Sequence, residues 1–324
     1  MIAFPGVTRR PRILLAIALL WLSGLPLAGQ SARTKILLDT DIGTDIDDAW
    51  ALGYALNSPT LDLVGVTTSD GDTAARARLA CKLLFRLGRT DVPVAAGRPT
   101  PAVPADRIDF QFAWAEDFRD YKAVETPAVE FMADAIRKNP HQITLVAVGP
   151  LFNIGDLIRR HPDVVPLVKR VVLMSGSIGA NAYSPVPVAE WNVKLAIPEA
   201  QTVYSAAWPL TIVPLDSTTY VRLEDADRDA LRKANTPLTV ALETLLRLWT
   251  DRPASRMTLH DQLALVETQE PGRFFGRCEP MPVRVDRDGY TRVDAASGRS
   301  IAVCLEPKRN EFMAHFIAQL SARR

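Results

Sequence analysis

The chain has 324 residues, of which 48% are hydrophobic and 23% charged, a balance typical of a globular protein. Its formal net charge of +1 excludes nucleic-acid binding through bulk charge, and its mean hydropathy of +0.03 excludes a multi-span membrane protein. Three cysteines, none in a Cys-x-x-Cys pair, exclude a disulfide scaffold and a zinc–cysteine site, so any metal would need oxygen or histidine ligands.

Residues 1–30 have the pattern of an export signal peptide. Three arginines near the start precede an apolar run from Ile13 to Leu27, and small residues follow from Ala28 onward. A membrane anchor is the alternative, but the glycine and proline that interrupt the run and the small residues after it favour cleavage. We therefore predict a periplasmic or secreted protein in which residues 31–324 form one domain.

The predicted compartment bears on the cysteines. Disulfides persist outside the cytoplasm, so Cys278 and Cys304 are a candidate pair. Cys81 lies in an apolar helical stretch and is predicted to belong to the core.

From residue 35 the sequence alternates short apolar segments with amphipathic segments at helical spacing. The predicted strands are 36–39, 61–67, 92–95, 143–148, 171–174 and 210–213, and the predicted helices are 47–56, 73–87, 127–138 and 198–207. This alternation predicts an α/β fold, a single domain with a mainly parallel, Rossmann-like central sheet flanked by helices. Ligands bind at the carboxyl ends of the strands in such sheets, and two long loops, 97–109 and 176–187, follow strands there.

The strongest signal is a run of aspartates directly after the first predicted strand. They are Asp39, Asp41, Asp45, Asp47 and Asp48. Carboxylates packed this closely repel one another unless a cation neutralises them, and hard oxygen ligands suit calcium or magnesium. An EF-hand is excluded because Gly43 and Trp50 stand where that motif needs an oxygen ligand and a glutamate. A haloacid-dehalogenase-type phosphatase, with Asp39 as nucleophile, remains an alternative for this loop.

The segment from Asp39 to Leu52 resembles the N-terminal signature of the inosine-uridine-preferring nucleoside hydrolases. Three further segments resemble motifs of that family in the same order. They are Val148-Gly-Pro-Leu-Phe-Asn-Ile154, Ala189-Glu-Trp-Asn-Val193 and Leu259-His-Asp261. The resemblance covers residues 35 to about 265, and the rest of the chain has no motif that we can match. It implies an enzyme that hydrolyses the N-glycosidic bond of ribonucleosides to free base and ribose.

The resemblance also implies roles for individual residues. The implied Ca²⁺ ligands are Asp41, Asp48, Asp261 and the backbone carbonyl of Phe152. The implied substrate-binding residues are Asp47, Asp72, Glu190 and Asn192. Asp41 would also take a proton from a metal-bound water, and His260 would protonate the leaving base.

Some positions depart from the family pattern. The acidic loop, residues 39–48, is two residues longer than the compact form of the motif, so both Asp45 and Asp47 are candidates for the same substrate-binding position. Alignment on the following Ala-Trp-Ala-Leu favours Asp47. Asp72 stands where the family has an asparagine after the second strand. Ser184 stands where another asparagine is expected, and Asn181 is a nearby substitute. These changes leave the base preference open.

The principal prediction is therefore an exported, calcium-dependent nucleoside hydrolase. Its expected partner is a small-molecule nucleoside, with no nucleic acid and no membrane after signal cleavage, and a homo-oligomer is left open. The alternative from another class is a secreted nucleoside- or ribose-binding protein with weak turnover. Formation of free ribose distinguishes the enzyme from the binding protein, and activity on phosphate esters would indicate the phosphatase.

Overall fold

The computed structural model describes residues 1–3, 6, 33–101, 110–249, 257–296 and 298–323. The chain divides into two units, Met1–Ala32 and Arg33–Arg324, and the second is described below. Nearly all of the predicted signal peptide, and most of the predicted loop 97–109, lie outside the described residues. Among the residues that are described, no helix has the length and apolarity needed to cross a membrane.

Nine strands of the described part form one sheet. They are β1 (Thr34–Thr40), β2 (Leu61–Thr68), β3 (Val94–Ala96), β4 (Thr144–Ala147), β5 (Arg170–Met174), β6 (Leu210–Val213), β7 (Phe275–Val285), β8 (Thr291–Val293) and β9 (Arg299–Pro307). Their order is β3-β2-β1-β4-β5-β6-β9-β7-β8. Neighbours from β3 to β9 are parallel, and β7 is antiparallel to both β9 and β8. The strand order reverses beside β1, which creates a crevice between β1 and β4 at the carboxyl ends of the strands.

Helices cover both faces of this sheet. They are α1 (Asp47–Leu56), α2 (Thr73–Arg86), α3 (Phe110–Ala113), α4 (Ala128–Lys138), α5 (Phe152–Arg160), α6 (Trp191–Leu195), α7 (Ile197–Ser205), α8 (Leu215–Thr218), α9 (Asp225–Ala234), α10 (Pro237–Trp249), α11 (His260–Gln269) and α12 (Arg309–Ser321), with a 3₁₀ turn at Pro162–Leu167. In β1, Ile36 and Leu38 pack with α1, α2 and α10 to α12, whereas Leu37 packs with α4, α5 and α7. This alternation explains why the consecutive residues Ile36, Leu37 and Leu38 of β1 are all apolar.

The predicted α/β class and mainly parallel sheet are confirmed. The C-terminal hairpin of β7 and β9 was not predicted, because Pro280 and Pro282 and the mixed exposure of β7 disguise its alternation. The two strands carry a disulfide between directly paired Cys278 and Cys304, the candidate pair that the sequence left open, with an S–S distance of 2.06 Å. Cys81 is a buried free thiol, as predicted.

Candidate active site

The loop from β1 to α1 places the predicted carboxylates at the crevice. Asp39 lies in β1, Asp41 follows that strand, and Asp47 and Asp48 begin α1. All four are buried, whereas Asp45 is exposed and its carboxylate accepts a hydrogen bond from the next backbone N–H. The longer loop therefore turns Asp45 outward and Asp47 inward, in agreement with the alignment that favours Asp47.

Two of these acidic side chains, Asp47 and Asp48, meet a third, Asp261, from a distant part of the chain. Carboxylate oxygens of Asp47, Asp48 and Asp261 lie within 4.8 Å of one another, and all three residues are buried. The Asp261 N–H donates to Asp47 Oδ2 (3.2 Å), and Gln262 Nε2 donates to the Asp47 carbonyl (2.7 Å). Thr40 Oγ1 donates to Asp48 Oδ1 (2.5 Å). These bonds hold the N-termini of α1 and α11 together, and both helix dipoles favour negative charge there.

The electrostatics of this acidic cluster, Asp47, Asp48 and Asp261, fit a hard divalent cation. Burial is the main cause that raises the pKa of each carboxyl group well above its usual value. The negative charges of Asp41 and Asp45 raise each pKa further, and the charge of Asp48 adds to the shifts of Asp47 and Asp261. A bound cation would offset both the burial of these negative charges and their repulsion. A set of ligands made only of oxygen atoms suits Ca²⁺ or Mg²⁺.

Asp41 lies beside the acidic cluster rather than in its closest group. The backbone passes so near Gly149 that a Cβ atom added there would lie 2.7 Å from Asp41 Oδ1 and 2.8 Å from the Asp41 nitrogen. Only glycine fits such an approach without a shift of the backbone. The Gly-Pro segment that the sequence marks as a motif therefore serves to seat Asp41.

Asp39 is held in place by two neighbours and keeps one oxygen unpaired. Its Oδ1 accepts hydrogen bonds from Thr67 Oγ1 (2.6 Å) and Asn153 Nδ2 (2.7 Å). Its buried Oδ2 has no hydrogen-bond partner among the described residues. Burial raises the pKa of Asp39 to about 7, the two hydrogen bonds oppose that shift, and the charge of Asp41 adds to it. An unpaired buried oxygen next to other carboxylates could ligate a cation or accept a hydrogen bond from a substrate hydroxyl.

Arg76 of α2 was not predicted to take part in the site, yet it holds the acidic loop. It is 1% exposed, and its guanidinium donates to the carbonyls of Asp41 and Ile42 and to Thr44 Oγ1. It also donates to the carbonyl of Asp70 and forms an ion pair with the Asp70 carboxylate at 3.3 Å. An arginine in an amphipathic helix usually faces water, so the sequence carries no signal for this role.

The structure places Asp72 at the N-terminus of α2, and the substrate-binding role that the resemblance implies for it stays a prediction. It is exposed and caps α2 by accepting a hydrogen bond from Ala75 N (2.9 Å). The buried acid after β2 is Asp70, whose backbone is left-handed (φ 68°) and whose carboxylate accepts a hydrogen bond from Thr100 Oγ1 (3.0 Å) and pairs with Arg76. The turn at Asp70 points its side chain inward and leaves Asp72 free to cap the helix.

Glu190 is buried at the N-terminus of α6. One carboxylate oxygen accepts from Asn192 N (2.8 Å), and the other accepts from Gly176 N (3.1 Å) and Val193 N (3.2 Å). Burial raises the pKa of Glu190 to about 7, although these three hydrogen bonds oppose the shift. The charge of Asp41 contributes to the same shift, which places Glu190 within electrostatic range of the acidic loop.

Asn192 lies in α6 and Phe152 in α5, the helices that follow β5 and β4. Asn192 Nδ2 donates to the carbonyls of Val148 (2.8 Å) and Met174 (3.1 Å), so it joins the ends of these two strands. Phe152 is the first residue of α5, and the guanidinium of Arg98 lies 4.9 Å from its ring. The carbonyl ligand role of Phe152 stays a prediction.

His260 is the first residue of α11 and is largely buried. Its Nδ1 lies 2.6 Å from Thr218 Oγ1, and its Nε2 lies 3.2 Å from the Tyr183 hydroxyl. Burial lowers the pKa of His260 to about 4, and the positive charge of Arg222 acts in the same direction. The imidazole is therefore neutral at pH 7 and carries one N–H. The role of His260 as proton donor to the leaving base stays a prediction.

Comparison with known proteins gives the same family as the sequence motifs. A family model described as inosine-uridine preferring nucleoside hydrolase matches residues 36–319. The pyrimidine-specific ribonucleoside hydrolase RihA of Citrobacter koseri is 32% identical over 221 residues, which cover 65% of this chain and 69% of that protein. The protein of the same description from an Enterobacter species is 34% identical over 221 residues, with coverage of 65% and 69%.

Solved structures share the fold. A plant nucleoside hydrolase, PpNRh1, has a TM-score of 0.79 at 23% identity and covers 90% of this chain and 100% of its own. A purine-preferring ribonucleoside hydrolase from Gardnerella vaginalis has a TM-score of 0.77 at 23% identity, with coverage of 89% and 98%. Because the family model spans most of the sequence, this chain belongs to the inosine-uridine preferring nucleoside hydrolase family, whose members cleave N-glycosidic bonds.

Proposed function

We propose that this ribonucleoside hydrolase is exported and calcium-dependent, and that Asp41 is its general base. The observation that carries the proposal is the acidic cluster of Asp47, Asp48 and Asp261 beside Asp41. Oxygen donors from two distant segments meet there in a buried crevice, and their mutual repulsion favours a bound divalent cation. Calcium accepts such oxygen donors readily and leaves coordination sites for ribose hydroxyls.

The chain's own residues supply the rest of the reaction. A bound cation would polarise water and ligate ribose hydroxyls. Asp41 takes a proton as water adds to C1′ of the ribose, and the electron pair of the glycosidic bond passes to the base nitrogen. Asp47 and Glu190 accept hydrogen bonds from the ribose hydroxyls, and their negative charge stabilises the positive charge that develops on the sugar. Asn192 keeps the ends of β4 and β5 in place beneath the sugar.

Two features support export. The N-terminal residues have a signal-peptide pattern, and Cys278 and Cys304 form a disulfide. Disulfides are rare in reducing compartments, so this pair fits a protein that works in the periplasm or outside the cell.

Neither alternative is favoured by a specific observation. The phosphatase requires Asp39 as an exposed nucleophile, but Asp39 is buried and one of its oxygens is bound by Thr67 and Asn153. The binding-protein alternative offers no reason for a buried carboxylate such as Asp41 beside the acidic cluster.

The test is release of free ribose by the purified protein from inosine, adenosine, uridine and cytidine, before and after removal of metal by a chelator. Both base classes belong in the panel because the similar proteins include pyrimidine-specific and purine-preferring enzymes. We expect chelation to abolish ribose release and added Ca²⁺ to restore it. Asp41→Asn should lower kcat by at least ~10²-fold, the usual scale for loss of a general base. Asp134→Asn, a change to an exposed acid of α4, is the control.

Two results would contradict the proposal. Full activity after verified metal removal would exclude a metal-dependent mechanism. Restoration by Mg²⁺ but not by Ca²⁺ would show that the acidic cluster takes the smaller ion.

A further inference from the structure

Tyr183 lies at the tip of the loop between β5 and α6, and the loop holds it firmly. Asn181 Oδ1 accepts hydrogen bonds from the N–H groups of Tyr183 (2.9 Å) and Ser184 (3.1 Å), which folds the tip into a tight turn. The N–H of Ala182 donates to Thr219 Oγ1 (2.9 Å). The turn is thus fastened to the residue that follows α8, so the position of the tyrosine is fixed by the loop as well as by its own side chain.

The side chain of Tyr183 contacts the candidate catalytic histidine. Its hydroxyl lies 3.2 Å from His260 Nε2 and 3.0 Å from Thr258 Oγ1, and its ring meets the imidazole edge-on at 6.0 Å between centroids. The other imidazole nitrogen is bound by Thr218 Oγ1 at 2.6 Å. Thr218, His260 and Tyr183 therefore form a chain of hydrogen bonds that begins in α8 and ends at the Tyr183 hydroxyl.

The same side chain faces both the solvent and the acidic loop. Tyr183 is 54% exposed even though its hydroxyl is engaged. The negative charges of Asp45 and Asp47 raise its pKa, after the larger effect of burial, which places the hydroxyl within electrostatic range of that loop. His260 precedes Asp261 of the acidic cluster in the chain, and Tyr183 contacts His260, so both side chains lie close to the place where a ribose held at the cluster would carry its base.

We propose that Tyr183 contacts the nucleobase of a bound nucleoside and donates a hydrogen bond to it as the glycosidic bond breaks. This inference rests on the proposed function. When the bond between C1′ and the base nitrogen breaks, its electron pair stays on the base, and a phenol hydroxyl stabilises that charge without giving up its proton. Its ring supplies a flat apolar surface for the base.

The test compares Tyr183→Phe with the unchanged protein on substrates whose leaving groups differ. We expect kcat for inosine and uridine to fall about 10-fold or more, because the hydrogen bond to the departing base is lost. For p-nitrophenyl riboside we expect a change below about two-fold, because nitrophenolate leaves readily without a donor. Tyr220→Phe, which alters another half-exposed tyrosine (50% exposed), should leave all rates unchanged. Equal losses on nucleosides and on p-nitrophenyl riboside, or no loss on either, would overturn the assignment.

A binding measurement separates this inference from the proposed function. By calorimetry, Tyr183→Ala should weaken binding of hypoxanthine and uracil about five-fold or more and leave binding of ribose unchanged. If the unchanged protein releases no ribose from any substrate, the proposed function fails, but base binding still decides the role of Tyr183. Equal base affinity in the two proteins would then exclude it.

Discussion

The backbone of the acidic loop depends on one buried arginine. Arg76 directs its guanidinium at two loop carbonyls and a hydroxyl of the loop, and at the carboxylate of Asp70. A guanidinium in a buried site is stable only when such acceptors surround it. Because Asp41 is one of the residues it holds, Arg76 sets the position of the proposed general base.

Replacement of this arginine should damage both stability and catalysis. We expect Arg76→Met to lower the free energy of unfolding by about 3 kcal/mol, since it removes the buried ion pair between Arg76 and the Asp70 carboxylate. Arg76→Lys keeps the charge but not the fork of donors, so kcat should fall while much of the stability remains. Urea unfolding and steady-state kinetics measure the two effects.

The matched control is Arg86→Met, because Arg86 lies on the same helix but is exposed. Its stability should change by less than about 0.5 kcal/mol. Equal behaviour of the two methionine variants would show that Arg76 does not hold the loop.

For individual residues, the sequence predicts site residues that stand in clustered acidic motifs. It does not predict residues whose place in the site depends on the local backbone conformation or on how a loop packs. Asp47, Asp48 and Asp261 stand in recognisable motifs, and the structure brings them together. Asp70 was not predicted as a site residue because its inward direction depends on a left-handed backbone. Tyr183 was not predicted because no local sequence pattern shows that its loop folds onto the end of α8. Such contacts are decided by tertiary packing and not by neighbours in the chain.

Among the elements, α9 and α10 are joined by one carboxylate. Glu243 of α10 accepts hydrogen bonds from Arg228 and Arg232 of α9 and from Arg247 one turn along its own helix, at 2.8 to 3.0 Å. Burial alone would raise the pKa of Glu243, but the three arginines lower it to about 2. The folded state thus binds the proton of this group less tightly than the unfolded chain does.

This shift predicts a pH-dependent contribution to stability. A lowered pKa stabilises the folded protein above the unfolded value of 4.5, and that contribution is lost as the pH falls toward 2. The arginines are partly exposed, so we expect Glu243→Gln to cost about 1 kcal/mol at pH 7 rather than the full linkage value. The difference from the unchanged protein should shrink between pH 5 and pH 3 in urea unfolding.

Glu116→Gln, a change to an exposed acid, provides the control and should show no such pH-dependent difference. A cost of Glu243→Gln that is constant from pH 7 to pH 3 would mean that the ion pairs do not carry it.

Strands β1 to β6 and helices α1, α2, α4 and α7 were predicted from their period, whereas α5 and the elements of the C-terminal part, β9 among them, were not. Strands such as β4 are short apolar runs between amphipathic helices, and that contrast marks them. Helices α9, α10 and α11 follow one another with no strand between them in the described part of the chain, so the alternation that identified the others is absent there. Strand β7 is further obscured by its prolines.

Over the whole molecule, the active site forms only when distant parts of the chain meet. The bond from the Asp261 N–H to Asp47 joins residues 214 positions apart. The C-terminal hairpin contributes as well, since the carbonyl of Cys304 in β9 accepts a hydrogen bond from Ser217 Oγ of α8 (2.7 Å). The next residue of α8, Thr218, binds His260. The disulfide that fastens β9 to β7 is therefore connected to the active site through a single helix.

The disulfide should consequently contribute to global stability and, through it, to activity at high temperature. It closes a loop across 26 positions, and removal of such a restraint is expected to cost about 3 kcal/mol by the loop-entropy estimate.

A reductant, after long incubation because Cys304 is buried, should lower the Tm of the unchanged protein. It should lower the Tm of Cys81→Ser equally, because Cys81 is a free thiol outside the bridge. In the double variant Cys278→Ser/Cys304→Ser the Tm should already be low and should not respond to reductant. The contradicting result is a Tm of the unchanged protein that the reductant does not alter, although thiol titration shows three free cysteines. The bridge would then not stabilise the fold. The C-terminal hairpin would be held by its hydrogen bonds and its buried apolar residues alone.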